Sequence, residues 1–202
     1  MKKTPAYLIL TLFLAFSLGC GNSQTSCLPT ALTGGTKLCL GVKQQTLVDS
    51  LDLRYDNSLS CYVGHLHSNP YFSDIYLNEE QGMKLLQSSY VESIMLEGHI
   101  NDPNFNADRL AKEVIDICIN NFGSNYAIVD GGYENAEPVL IWRQSKYYVS
   151  FEYIPRILYE QLAAGQKYVP TGFRLVFGRF NREIARTMKK PSTVWTKENL
   201  GL

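Results

Sequence analysis

The chain has 202 residues, of which 45% are apolar, 12% aromatic and 19% charged. That is room for one sizeable folded domain, and it is too apolar and too aromatic for a disordered chain. Nineteen basic residues balance nineteen acidic ones, so the basic excess that nucleic-acid binding calls for is missing and no nucleic-acid partner is expected.

Residues 1–19 are laid out as a secretory signal: Lys2 and Lys3, then an apolar run, then small residues at a point of cleavage. The apolar run is shorter than the roughly 20 residues a transmembrane helix needs. Polar Asn22, Ser23, Gln24, Thr25 and Ser26 follow it at once. The stretch Ser17-Leu18-Gly19-Cys20 resembles the lipobox of bacterial lipoproteins, with a small residue directly before the cysteine. The resemblance is confined to the leader. It implies that Cys20 receives a diacylglycerol on sulfur, with palmitate-type chains, and becomes the mature N-terminus. Membrane lipid is then the first partner, held through acylated Cys20, and several acyl chains make the anchoring stable. Ser17 stands where the lipobox pattern favours leucine, and the competing cut is by an ordinary signal peptidase after Ser17. In a host with two membranes, Gly21 after the cysteine implies the outer membrane, with the domain facing the periplasm.

Lipidation of Cys20 leaves an even set, Cys27, Cys39, Cys61 and Cys118, as disulfide candidates in an oxidising compartment. Four cysteines allow three connectivities, and the sequence does not choose among them. Cys118 also reads as a plain buried thiol on the apolar side of a helix.

Residues 20–36, rich in Gly, Ser, Thr and Asn, read as a flexible tether, and 37–202 as a single α+β domain. Its pattern predicts a mainly antiparallel sheet with about four helices packed on it. Segments 37–42, 46–55 and 60–67 have strand character. Asn78 opens a helix reaching Tyr90, and 90–100 alternates as a strand with Ile94 and Leu96 on one face. The clearest helix covers 106–122, with Asn106 as its cap, Gly123 as its stop and a wide apolar stripe. Strands follow at 126–129, 139–142 and 146–153, the last two forming a hairpin across Gln144 and Ser145. Pro155 starts a helix that Gly165 ends, residues 172–180 alternate as a strand, and Asn181 caps a basic last helix.

Candidate chemistry is sparse. His65 and His67 are two residues apart, so on a regular strand they share a face about 6.6 Å apart. That spacing suits a two-histidine metal site or an acid–base pair, with Asp74, Glu97 and His99 as conceivable third ligands. The acidic glycine turn 130–134 lacks the alternating carboxylates of a calcium loop. No G-x-S-x-G, P-loop, H-E-x-x-H, G-x-G-x-x-G or C-x-x-C pattern occurs, so the sequence assigns no catalytic residue and no cofactor. Thirteen tyrosines are present. Tyr71, Tyr76, Tyr147 and Tyr148 are the candidates for a recognition surface, because a tyrosine ring offers large area and a polar tip. Charge is unevenly distributed. Residues 47–137 carry 15 acidic and 4 basic residues, whereas 138–202 carry 11 basic and 4 acidic ones. The two halves either neutralise each other in space or leave an acidic face for a basic partner.

These features point to a lipid-anchored cell-envelope protein whose domain binds a protein partner, in the manner of immunity lipoproteins that neutralise envelope-targeting toxins. Accessory work in envelope assembly is one alternative. A metal-assisted hydrolase built on His65 and His67 is the other.

Overall fold

The computed structural model describes residues 25–77, 90–98, 106–131, 137–155, 170–198 and 200–202. Its architecture is α+β. The large sheet has eight strands, and every pairing in it is antiparallel.

A short entry unit precedes that sheet. Strand β1 (Ser26–Cys27) pairs with β2 (Cys39–Leu40), and between them lies one helical turn, α1 (Thr30–Thr33). A disulfide joins Cys27 to Cys39 directly across the two strands. Leu28, Leu32 and Leu38 are buried in the main core. The flexible-tether reading therefore does not extend over 26–36. Apolar Leu28 and Leu32, spaced four apart, anchor this stretch, and the Gly34-Gly35 pair takes positive φ to turn the chain back. Of the four disulfide candidates, Cys27 and Cys39 are joined to each other, and Cys61 and Cys118 are buried.

Helix α2 (Gln44–Leu51) replaces the strand expected at 46–55. Strand alternation there would put Asp49 on the same face as Leu47 and Leu51. A helix instead gathers Leu47, Val48 and Leu51 on one side and leaves Asp49 and Ser50 exposed. Asp52 ends it in the left-handed region, at φ 50°, with its N–H on the Val48 carbonyl.

The eight strands are β3 (Arg54–Asp56), β4 (Cys61–His65), β5 (Asp74–Leu77), β6 (Ser93–Glu97), β7 (Ala127–Asp130), β8 (Pro138–Arg143), β9 (Tyr147–Pro155) and β10 (Pro170–Arg179). Their spatial order is β3-β4-β5-β6-β10-β9-β8-β7. Two four-strand meanders thus join along β6 and β10. The chain leaves the first meander at the centre of the sheet and reaches β7, at the far edge, by way of α3 (Ala107–Phe122). Asn106 caps α3 by accepting the Arg109 N–H at 3.0 Å.

One sheet face carries Ile75, Leu77, Ile94, Leu96, Phe173, Leu175, Phe177, Val149, Phe151, Leu140 and Trp142, all buried. Leu110, Ala111, Val114, Ile115 and Cys118 of α3 join this core, and each large apolar side chain so buried contributes roughly 1.5–3 kcal/mol. Trp142 satisfies its buried indole by donating Nε1–H to the Gly123 carbonyl at 2.9 Å. The last helix, α4 (Arg182–Thr187), leads from the end of β10 to the edge of β7, where Pro191 bridges Val129 and Ser192 donates to the Ile128 carbonyl. The expected helices from Asn78 and from Pro155 lie outside the described residues, as do most of the 130–134 turn and His99. Among the described residues no helix is long and apolar enough to cross a membrane.

Candidate functional site

The sheet's second face carries the polar residues of the same strands. Alternation that sends Phe173 and Leu175 into the core leaves Arg174 opposite, and the cross-strand register turns such residues into a continuous row. His65 pairs with Asp74, Asp74 with Glu97, Glu97 with Arg174, and Arg174 with Glu152. Five adjacent strands, β4 to β9 through β10, thus contribute one ionisable side chain each.

The contacts follow the register. His65 Nδ1 lies 2.5 Å from Asp74 Oδ1. Ser73 donates its hydroxyl to the other Asp74 oxygen at 2.6 Å. Tyr76 donates its phenol to Glu97 Oε2 at 3.0 Å. Arg174 reaches Glu97 through Nη2 at 3.5 Å and Glu152 through Nη1 at 3.8 Å. The Glu97 side chain is only 17% exposed and that of Arg174 33%. The row is therefore half-withdrawn from water, where charge–charge interactions gain strength and unpaired charges become costly. Arg174 Nε is buried with no hydrogen-bond partner among the described residues.

Carboxylates outnumber the guanidinium. Burial raises the pKa of Glu152, against the pull of Arg174. Glu137, just before β8, lies at the same end of the row, where Gly131 donates its N–H to the Glu137 carbonyl at 2.9 Å. The Cβ position of Gly131 lies 3.3 Å from the Glu137 carbonyl oxygen and 3.7 Å from Glu152 Oε1, which puts Gly131 beside both residues. Burial, and next the charge of Glu152, push the Glu137 carboxyl up to about 7, with Arg174 opposing.

The two candidate histidines have different settings. Strand β4 stops at His65, and Leu66 donates to the Ser73 carbonyl at 2.6 Å as the chain turns. His67 thus lies past the strand and does not share its face; the regular alternation behind the 6.6 Å expectation is lost at this turn. Both histidines nevertheless line one cleft of about 650 Å³ beside the end of α2, together with Asp49, Asp52 and Arg54. Asp74 and Glu97 are taken up by the row. Among the described residues no three His, Cys, Asp or Glu side chains come together as a metal-ligand set.

The four candidate tyrosines are half-buried. Tyr71 packs on the core beside Phe72, and burial followed by the charge of Glu113 raises its pKa. Tyr147 packs edge-on against Phe177 at 5.1 Å, Tyr148 covers Gly178, and Tyr76 belongs to the row. The more exposed rings are Tyr55 and Tyr90. Buried Cys118 has its thiol pushed up to about 12 by burial, which makes it an inert core residue.

Arg174 and Glu152 were not singled out in the sequence. The only signal for Arg174 was its alternation against Phe173 and Leu175, because its partner Glu97 is 77 residues away in the chain. The arrangement holds acceptor oxygens on fixed partners, with one shared cation and a flanking phenol. Comparison with known proteins finds no matching family model, no matching curated protein and no matching solved structure.

Proposed function

We propose that the chain is a lipid-anchored protein of the cell envelope, held through acylated Cys20, whose domain binds and neutralises a protein partner. In a host with two membranes the anchor lies in the outer membrane and the domain faces the periplasm. The observation that carries the binding role is the half-buried row Asp74–Glu97–Arg174–Glu152, in which carboxylates exceed cations. A polar array of this kind across the middle of a sheet contributes little to stability for what its desolvation costs. It is well suited to receive basic groups of a partner, for which acceptor oxygens are already in place. The partner class that fits best is a toxin acting in the envelope; an envelope-assembly factor is the alternative partner.

The test is direct binding. A toxin-like product encoded next to this gene is expected to form a tight complex, weakened at least about ten-fold by Glu97→Gln with Glu152→Gln, the equivalent of 1.4 kcal/mol. No complex, or a gene neighbourhood of envelope-assembly factors without a toxin, counts against neutralisation.

A metal-assisted hydrolase remains the second reading, favoured by the one cleft that both His65 and His67 line. It requires bound metal in the purified protein and its loss in His65→Ala with His67→Ala. Metal-free protein after incubation with zinc sinks it.

A further inference from the structure

We infer that the end of the sheet carrying the β8–β9 hairpin and α4 docks on anionic lipid headgroups, an assignment that rests on the anchor reading of Cys20. Two independent features meet at this end.

The first is charge. Arg143 and Lys146 flank the β8–β9 turn, Arg179 closes β10 beside it, and Arg182 and Arg186 follow on α4. Contacts bind these parts together. The Arg143 guanidinium stacks on Phe180 at 4.4 Å, and Phe180 donates its N–H to the Lys146 carbonyl at 3.0 Å. The Arg179 N–H meets the Glu92 carbonyl at 3.2 Å. All five basic residues are exposed. Against them stand Glu92, whose carboxylate is engaged by Arg179, and Glu183 in the first turn of α4.

The second is where the chain enters the domain. Ser26 is paired with Leu40, and the following residue, Gly41, has its Cβ position 3.6 Å from Arg179 Nη2. The Gly41 N–H is also bonded to the Val91 carbonyl at 2.8 Å, one residue from Glu92. The N-terminal segment therefore enters at the basic end. Six peptide steps separate Cys20 from Ser26, a contour of at most about 21 Å. An acyl anchor at Cys20 thus keeps this end within reach of the bilayer surface, where each basic side chain near anionic lipid adds about five-fold to binding. The opposite end of β6, β10 and β9, with the Glu97–Arg174–Glu152 part of the row, is held away from the surface and available to a partner.

The experiment uses the mature acylated protein reconstituted in vesicles of phosphatidylcholine alone or mixed with phosphatidylglycerol, read by hydrogen exchange of residues 179–190. Slowing of at least about five-fold in the anionic vesicles is expected, abolished by high salt and by Arg182→Glu with Arg186→Glu. Arg143→Glu with Lys146→Glu, on the β8–β9 hairpin and not on α4, is expected to act the same way. Equal exchange in both vesicle types overturns the assignment and leaves the patch to an acidic protein. Intact mass of the same sample reads the anchor separately, so failure of the docking surface and failure of the anchor are told apart.

Discussion

Arg174 on β10 lies directly opposite Glu97 on β6, and this pair marks the seam where the two meanders meet. The strands before the seam belong to the acidic part of the chain, and all but β7 after it to the basic part. At the other end of the seam, Arg179 pairs with Glu92 in the same sense. The charge asymmetry of the sequence is thereby neutralised in part where the halves touch, and conserved elsewhere as separate acidic and basic regions.

Arg174→Met removes the one cation that Glu97 and Glu152 share. Truncating one partner of a buried pair costs 3–5 kcal/mol at full burial, and with a third of this side chain exposed the expected loss is about 1–3 kcal/mol. Urea denaturation at neutral pH checks it. The loss is expected to shrink at mildly acidic pH, where protonation relieves the orphaned Glu152 carboxylate, whose pKa burial raises.

Glu137 makes stability depend on pH. Its carboxyl is held up at about 7 in the folded state, from 4.5 as its ordinary value. Between those values the folded chain holds a proton that the unfolded chain has released, so this group's contribution to stability falls as pH rises from 4.5 towards 7. Glu137→Gln is expected to flatten that slope and to be more stable than wild type at pH above 7. Denaturation midpoints measured across this range for both proteins decide the matter; parallel curves contradict the assignment.

The Cys27–Cys39 bond spans 12 residues, and closing a loop of that size is worth about 3 kcal/mol through the unfolded chain. Cys27→Ala with Cys39→Ala, or reduction, is expected to lower stability by that order and to loosen 25–40 first. Proteolysis under reducing conditions locates the loosening.

Two caps provide a local test. Asn106 and Asn181 accept the N–H of Arg109 and Ile184 at 3.0 and 2.9 Å. Asn106→Ala is expected to cost about 1 kcal/mol, because α3 closes the core, and Asn181→Ala less, because α4 buries no residue fully. Thermal melts of the two variants give the comparison.

The contrast between α3 and α2 shows what was legible in the sequence. Helix α3 announced itself through its cap, its glycine stop and a stripe of apolar residues, all local signals. Helix α2 did not, since eight residues containing Leu47, Val48 and Leu51 fit either period until the neighbouring core decides. Strands β6 and β10 were readable from alternation, whereas their pairing was not, because register between segments 77 residues apart is set by packing. The same holds for the site. His65 and the tyrosines were visible as residue types, but the row that includes Asp74, Glu97, Arg174 and Glu152 exists only once the register is known.

The proposed anchor at Cys20 would tie the proposed binding surface to a membrane, and the intact mass of the mature protein tests it most directly. The expected result is an N-terminus at Cys20 carrying acyl chains, abolished by Cys20→Ala. A mature N-terminus at Leu18 with unmodified Cys20 would contradict it.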